Sequence, residues 1–272
     1  MKQQRFITVF ENGLMTGPSS WAWVTSRMNP SIYKVILVER AAESAFDACF
    51  REQNYTAILE RQLAKTGLEN TNDPVILVGH SVGALLARSH AHYFGSRVAG
   101  LVLVDPSPPE QFTPGADTNF RYLRLNQAIF RRIVRTFFGG LPSSTELEGV
   151  NQLPPQASET MSLEMRKPKF WIDAYRESKS AAKLWVESGI SPQKTELITS
   201  VVSTDVIASS ASIQSRYVEE VLANSKSSAS FENLEATHES ILFNEQHSQL
   251  VNEAIEWTAF KWSELHPEVE VQ

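Results

Sequence analysis

The sequence predicts an α/β protein with a mostly parallel central sheet of about six strands, flanked by helices. Short runs that are apolar throughout alternate with longer amphipathic segments. Fully apolar strands separated by helices indicate a parallel sheet that is covered on both faces. One long interval without a predicted strand interrupts this alternation, which indicates a helical insertion.

The predicted strands are short runs rich in valine, isoleucine and leucine. They lie at residues 5–10, 33–38, 74–79, 97–104, 196–202 and 231–236. The helices predicted between and after them lie at residues 19–28, 50–67, 81–94, 211–225 and 246–262. In the last of these, apolar residues recur at spacings that place them on one face of a helix.

The interval 107–194 is predicted to be a helical cap inserted into an α/β core formed by residues 1–106 and 195–272. Proline-rich joints, DPSPP and QLPPQ, lie within or next to it. The insertion follows the carboxyl end of a strand, which is the edge where open α/β sheets bind ligands. We therefore expect it to act as a lid over a site.

One helix of the insertion, in NFRYLRLNQAIFRRIVRTFFGG, is basic and amphipathic. Its arginines fall on one side and its apolar residues on the other: Arg121, Arg124, Arg131, Arg132 and Arg135 against Leu123, Phe130, Val134 and Phe137. Such a helix can bind a membrane surface or attract anionic substrates. We favour a lid helix that buries its apolar face over the pocket and leaves the cationic face in solvent.

Composition narrows the classes of protein and partner. The net charge of −6 and the pI near 5.6 do not provide the cationic surplus of a nucleic-acid binder. The single cysteine, Cys49, cannot form an internal disulfide, and no apolar run reaches the length of a bilayer span. The N-terminus lacks the apolar core of a secretory signal. We expect a soluble protein of the cytoplasm.

The segment GHSVG, residues 79–83, lies between the apolar run PVILV and the helical stretch ALLARSHAHYF. A glycine two positions before and two after a serine suits a sharp turn from strand to helix, where side chains at the flanks would clash. This is the pattern of a nucleophile elbow, which exposes the serine hydroxyl at a helix start. Ser81 is therefore the candidate nucleophile.

These segments resemble the α/β-hydrolase superfamily, in its serine-nucleophile, esterase-like branch. The resemblance rests on residues 8–24, 74–112 and 236–258. The first predicted strand resembles the family's third strand, so a sheet without the N-terminal hairpin is expected. The glycine-rich turn that usually follows the next strand is replaced by ERAAESAFDA.

The family order is serine, acid and then histidine, which points to His238 in ATHESIL as the base. Two aspartates could orient it, and the sequence leaves both open. Asp205 follows the fifth predicted strand and precedes His238 by 33 positions (238 − 205), whereas Asp105 ends the fourth strand. We favour Asp205, because most family members carry their carboxylate there, and because Asp105 could instead cap the turn at DPSPP.

The resemblance also implies an oxyanion hole. Its two donors would be the backbone N–H of Val82, directly after the nucleophile, and that of Leu14, in the loop ENGL. Gly13 would let this loop turn. Candidate substrate-binding residues are Asn12, Gly13, His80 and Trp21, although a buried core position is favoured for Trp21.

No metal or cofactor is expected. His90 and His92 lie two positions apart on a helix, whereas a zinc pair needs a spacing of three or four on one face. Acyl transfer by a serine needs only a base and an orienting acid.

The predicted function is a serine hydrolase that cleaves a small or medium carboxylic ester through an acyl-enzyme. Alternatives on the same residues are a peptidase, a thioesterase, a lactonase, a cofactor-free lyase or a noncatalytic ligand receptor. Dehalogenases and epoxide hydrolases of this fold use an aspartate nucleophile, so Ser81 argues against both.

Overall fold

The computed structural model describes residues 5–39, 63–68, 72–112, 119–188, 195–204 and 208–267. Its six strands are β1 (Phe6–Glu11), β2 (Tyr33–Leu37), β3 (Val75–His80), β4 (Val98–Val104), β5 (Thr195–Thr204) and β6 (Ser225–Asn233). They form one sheet in the order β2-β1-β3-β4-β5-β6, and all neighbours pair in parallel. The predicted fold class is confirmed.

The helices of the described chain cover both faces of this sheet. They are α1 (Ala22–Arg27), α2 (Val82–Phe94), α3 (Asn119–Phe137), α4 (Ser144–Val150), α5 (Pro155–Met165), α6 (Pro168–Ser188), α7 (Ala208–Ala223), α8 (Ser240–Phe243) and α9 (Gln249–Leu265). Short 3₁₀ helices lie at Pro18–Trp21, Gly95–Arg97 and Pro109–Phe112. Residues 63–65 are helical, and the rest of the helix predicted at 50–67 lies almost entirely outside the described residues.

Two hydrophobic clusters separate the faces, because successive strand residues point to opposite sides. Phe6 and Phe10 of β1 pack in the cluster that contains α9, whereas Ile7 and Val9 pack in the one that contains α2. Both clusters draw on the central strands β3 and β4, whose side chains are buried throughout. The sheet is thus enclosed on both sides, and the carboxyl ends of its strands meet at one edge.

The last strand differs from its prediction. It was predicted at residues 231–236 but spans Ser225–Asn233, in the sequence SKSSASFEN. Among the described strands β6 lies at the edge and pairs with β5 alone, and its residues alternate between half-buried and exposed. A serine-rich strand at an edge does not need the apolar run by which the other strands were recognised.

The described residues between β4 and β5 contain helices and short connections but no strand, with a 3₁₀ helix at Pro109–Phe112 and α3 to α6 within residues 119–188. Residues of these helices, including Ile129, Met161 and Trp171, belong to the same hydrophobic cluster as Trp21 and the α9 face of the sheet. Within the described ranges, none of the helices is both long enough and apolar enough to cross a bilayer.

The prediction for α3 was wrong in one respect. Leu123, Phe130, Val134 and Phe137 were expected to be buried over the pocket, yet all four are exposed. The buried side of α3 is instead formed by Asn126, Ile129 and Thr136, which lie on a different face of the helix.

Candidate active site

Ser81 lies in the turn between β3 and α2, at φ 56° and ψ −122°. Such a backbone is strained for a residue with a side chain. The flanking glycines make it possible: a Cβ on Gly79 would lie 2.4 Å from the carbonyl oxygen of Gly83, and one on Gly83 would lie 2.4 Å from that of Asn12. The GHSVG pattern is therefore required by close backbone contacts on both sides of Ser81.

His238 places its ring against the Ser81 hydroxyl. Nε2 lies 2.9 Å from Ser81 Oγ, and the ring belongs to the loop between β6 and α8. The two residues are 157 positions apart in the chain. The structure thus brings the predicted nucleophile and the predicted base into hydrogen-bond contact.

The carboxylate beside His238 belongs to Asp105, directly after β4. Its Oδ2 lies 2.5 Å from Nδ1 of His238. The other oxygen, Oδ1, accepts a hydrogen bond of 2.9 Å from the Gln214 amide and a longer one of 3.4 Å from the Thr204 backbone N–H. Both oxygens of the buried carboxylate are therefore held, which fixes the direction in which it meets the ring.

Among the described residues, the carboxylate that contacts His238 belongs to Asp105, which the sequence ranks second of the two candidate acids. Asp205 was preferred as the partner of His238, and it lies outside the described residues. Asp105 occupies the contact instead, with a backbone φ of 40°. Its N–H donates to the Val202 carbonyl at 2.6 Å, which ties the end of β4 to β5 and directs the carboxylate toward the loop that carries His238.

The two pKa shifts in this pair are opposite in direction and have the same cause, the contact between Asp105 and His238. Burial raises the pKa of the Asp105 carboxyl, but the hydrogen bond and positive charge of His238 outweigh it, so that the pKa falls below its usual value. Burial lowers the pKa of His238, but the hydrogen bond and negative charge of Asp105 outweigh it and raise the pKa. The His238 side chain is 43% exposed. The pair therefore favours an ionised carboxylate beside a ring that takes up a proton readily.

The protonation of His238 follows from its neighbours. An ionised carboxylate only accepts hydrogen bonds, so Nδ1 carries the proton that faces Asp105. In the neutral ring Nε2 is then an acceptor, and it points at Ser81. This arrangement can remove a proton from the serine hydroxyl.

His80, the second residue of GHSVG, supports the loop that carries His238. Its Nε2 lies 2.9 Å from the His238 carbonyl oxygen, and the two rings are 4.7 Å apart. Burial, followed by the charge of His238, lowers the pKa of His80 to about 3. The ring is therefore neutral near pH 7, and Nε2 must be its donor, because a carbonyl only accepts.

The loop after β1 lies against this turn. A Cβ on Gly13 would approach His80 Nδ1 to 2.6 Å and Ser81 Cβ to 3.3 Å. The side chain of Asn12 is held on both sides: its amide donates to the Val38 carbonyl, and its oxygen accepts from the Trp21 indole at 2.9 Å. Trp21 is fully buried and fixes the loop from behind.

The two predicted donors of the oxyanion hole adjoin residues of the turn: Val82 follows Ser81 in the chain, and Leu14 follows Gly13, whose backbone lies against Ser81. Val82 is the first residue of α2, where backbone N–H groups have no partner within the helix. Leu14 follows Gly13 in the loop and is half-buried.

Ser107 is a polar residue of the site that was not predicted. Its Oγ lies 3.1 Å from Ser81 Oγ, and its N–H donates to the Ser81 carbonyl at 3.2 Å. It lies in the segment DPSPP, where the signal was its position two residues after Asp105, at the carboxyl end of a central strand.

A cavity of about 440 Å³ opens beside the loop after β1. One wall is formed by Asn12, Met15 and Gly17, and the other by residues of α5 and α6 such as Glu164 and Phe170. Burial raises the pKa of the Glu164 carboxyl. Among the described residues, no group of three or more histidine, cysteine, aspartate or glutamate side chains is arranged to hold a metal ion.

The sequence matches the model of the alpha/beta hydrolase family over residues 9–254. The chain belongs to this family. A comparison of the sequence with curated proteins gave no match.

Solved structures of family members share the fold. MenH from S. aureus superposes with a TM-score of 0.62 at 14% identity, over 96% of this chain and 96% of that chain. A variant of the Vigna radiata epoxide hydrolase superposes with a TM-score of 0.66 at 11% identity, over 96% of this chain and 93% of that chain. A variant of the N-formylmaleamic acid deformylase of Pseudomonas putida S16 superposes with a TM-score of 0.57 at 15% identity, over 93% of this chain and 92% of that chain. At these identities the likeness concerns the fold.

Proposed function

We propose that this α/β hydrolase is a serine esterase that cleaves a small or medium carboxylic ester through an acyl-enzyme. The observation that carries the proposal is the unbroken chain of hydrogen bonds from Asp105 through His238 to Ser81. A serine hydroxyl is a weak nucleophile at neutral pH and needs a base held by a third group. The family relationship supports a hydrolase, and the serine at the turn supports acyl transfer.

In the proposed mechanism Ser81 Oγ attacks the ester carbonyl while Nε2 of His238 accepts its proton. The ring then carries a positive charge, which the ionised Asp105 stabilises. The tetrahedral intermediate collapses, the ester C–O bond breaks, and Nε2 returns the proton to the leaving alcohol. A water molecule, activated by the same ring, attacks the acyl-serine and releases the acid.

The oxyanion of each tetrahedral intermediate would be held by the backbone N–H groups of Leu14 and Val82. The support for this role is local: the Gly13 backbone lies against Ser81, and Val82 begins α2. Two fixed donors directed at the developing charge contribute much of the rate in acyl transfer. The side chain of Asn12 holds this loop through its hydrogen bonds to Val38 and Trp21, which supports a fixed position for the backbone donor.

We also propose that α3 to α6 act as the cap, and that the cavity between α5, α6 and the loop after β1 takes part of the substrate. Its volume falls within the range of small-molecule pockets. The wall formed by Asn12 and Met15 flanks Gly13, which lies against Ser81.

The decisive experiment is labelling with a fluorophosphonate probe, combined with hydrolysis of p-nitrophenyl esters of increasing acyl length. Labelling and turnover should both disappear in Ser81→Ala and persist in Ser96→Ala, an exposed serine outside the site. Turnover that persists in Ser81→Ala would refute the assignment of Ser81 as the nucleophile. Labelling without turnover of any ester would refute the ester class and leave a peptidase or a thioesterase, and absence of both in the wild type would favour a receptor.

A further inference from the structure

The outer face of α3 is an exposed apolar surface. Leu123, Phe130, Val134 and Phe137 follow one another at intervals of seven, four and three residues, which places them in one row along the helix. Two further exposed apolar residues follow the helix end: Phe138, whose ring lies 5.8 Å from that of Phe137, and Leu141. These six residues are here called the apolar stripe: Leu123, Phe130, Val134, Phe137, Phe138 and Leu141.

The apolar stripe is concentrated and strongly exposed. It contains six of the ten large apolar side chains that are exposed in the described part of the chain. Phe137 is 71% exposed and Phe138 is 82% exposed. Soluble monomers seldom display a continuous apolar surface without a use for it, and such a surface marks an interaction site.

The residues of α3 outside the apolar stripe pack this helix against the rest of the protein. Asn126, Ile129 and Thr136 form its buried side, and the helix packs against α6. Arg132 and Arg135 turn toward α4, where both contact the carboxylate of Glu146. The apolar stripe therefore faces away from the molecule and is not required for the core of the insertion.

The positive charge of α3 favours an anionic partner. α3 contains five arginines and no acidic residue, although the chain as a whole carries −6. Arg124 and Arg131 are exposed, and each follows a residue of the apolar stripe, so that both lie roughly 100° further around the helix. They form a cationic border along one side of an apolar row. This is the arrangement of a helix that lies in an anionic lipid surface.

We propose that the apolar stripe docks the protein on an anionic phospholipid membrane. Phe130, Val134 and Phe137 enter the boundary between headgroups and acyl chains, while Arg124 and Arg131 contact the lipid phosphates. A second copy of the chain is a poorer partner, because a symmetric contact through this face would oppose the same cationic borders. The inference is independent of the proposed esterase activity.

The test is co-sedimentation of the full chain with vesicles of phosphatidylcholine alone and of phosphatidylcholine mixed with phosphatidylserine. Binding should require phosphatidylserine and weaken as salt rises, because salt screens the arginines. The double variant Phe137→Ser, Phe138→Ser should bind at least about tenfold more weakly, since it removes two large apolar side chains. Arg124→Gln with Arg131→Gln should also weaken binding by about tenfold or more.

Two matched controls test whether the effect belongs to this face. Phe260→Ser removes an apolar side chain that is 62% exposed on α9, and Arg166→Gln removes an exposed arginine at the end of α5. Both should bind like the wild type. All substituted side chains are exposed, and thermal unfolding should confirm that the variants fold.

Three outcomes would overturn the proposal. The first is equal binding to both kinds of vesicle, and the second is wild-type affinity in the Phe137→Ser, Phe138→Ser variant. The third is a wild type that does not bind vesicles but self-associates in sedimentation velocity experiments, while the Phe137→Ser, Phe138→Ser variant does not self-associate. The third result would make the apolar stripe a contact between copies of this chain.

Discussion

Oδ2 of Asp105 lies 2.5 Å from Nδ1 of His238, although 133 positions separate the two residues in the chain. The contact exists because β4 and β5 are neighbours in the sheet and end at the same edge as β6. It decides which proton His238 carries and which nitrogen faces Ser81.

Replacement of this carboxylate is the most direct test of its role. Asp105→Asn should lower kcat by about 10⁴, because the amide favours the wrong tautomer of His238. The fold should persist, since asparagine tolerates the positive φ of this position better than most residues. Steady-state kinetics on the best p-nitrophenyl ester would measure the loss. Asp205→Asn is the matched control and should remain close to the wild type; the reverse pattern would restore Asp205 as the acid.

The pH dependence of kcat/KM should show the influence of Asp105 on His238. The ring must be neutral to act as the base, and Asp105 raises its pKa. Activity should therefore fall on the acid side at a pH above the ordinary imidazole value of about 6.5. In Asp105→Asn the residual activity should fall at a lower pH, because the negative charge is gone. An unchanged acid limb would contradict this coupling.

The raised pKa of His238 also affects how the free energy of unfolding depends on pH. The folded protein binds the His238 proton more tightly than the unfolded chain does, so the contribution is fully present below the unfolded pKa. It is lost as the pH rises through the raised folded pKa.

His80 should make the protein sensitive to acid. Its pKa of about 3 lies below the unfolded value, so between the two the unfolded chain binds a proton that the folded protein does not. The free energy of unfolding should therefore drop as the pH falls from about 6.5 toward 3, by at most about 1.4 kcal/mol per pH unit. His80→Gln keeps a donor for the His238 carbonyl and should reduce this slope in urea titrations. A slope identical to that of the wild type would show that His80 is not responsible.

Ser107 is expected to position the nucleophile. Ser107→Ala removes a hydroxyl 3.1 Å from Ser81 Oγ and keeps the backbone bond to the Ser81 carbonyl. A lost hydrogen bond of this kind costs about 1 kcal/mol, so kcat should fall by about fivefold. Ser107→Thr retains the hydroxyl and should recover most of the rate. Equal losses in both variants would indicate that packing, not the hydroxyl, matters at this position.

The tight turn at Ser81 should not accept a larger residue at Gly79. Gly79→Ala places a Cβ 2.4 to 2.6 Å from the backbone of Gly83 and Ala84, which cannot move without shifting α2. We expect a loss of about 1–3 kcal/mol or more in the free energy of unfolding. Gly149→Ala, in α4, is the control. Its added Cβ would lie 3.7 Å from the side chain of Phe243, which is an ordinary van der Waals contact. Thermal or urea unfolding of both variants would compare them, and an equally mild Gly79→Ala would contradict the contact argument.

Much of the candidate site could be predicted because its signals are local. GHSVG between a buried strand and a helix specifies the turn, since both glycines are dictated by backbone contacts of that turn. His238 could be placed from its position between the last strand and α9. Five strands could be predicted because each contains an apolar run. The strands β1, β3 and β4 are buried throughout, and a strand that is buried on both faces must be apolar.

The remaining features depend on neighbours that are distant in sequence. Two aspartates follow adjacent strands, and nothing local distinguishes them; the contact of Asp105 arises from its backbone bond to Val202 and from Gln214 on α7. The strand β6 lacks an apolar run because an edge position does not demand one.

The sequence by itself determined the alternation of strands and helices, the turn at Ser81 and the order in which nucleophile and base occur. These features follow from short-range sterics and from the burial of whole segments. Tertiary structure alone decided that Asp105 meets His238, that Ser107 touches Ser81, and that the apolar row of α3 faces outward. An amphipathic helix specifies only that two of its faces differ, and the face that is buried depends on the surface against which the helix packs.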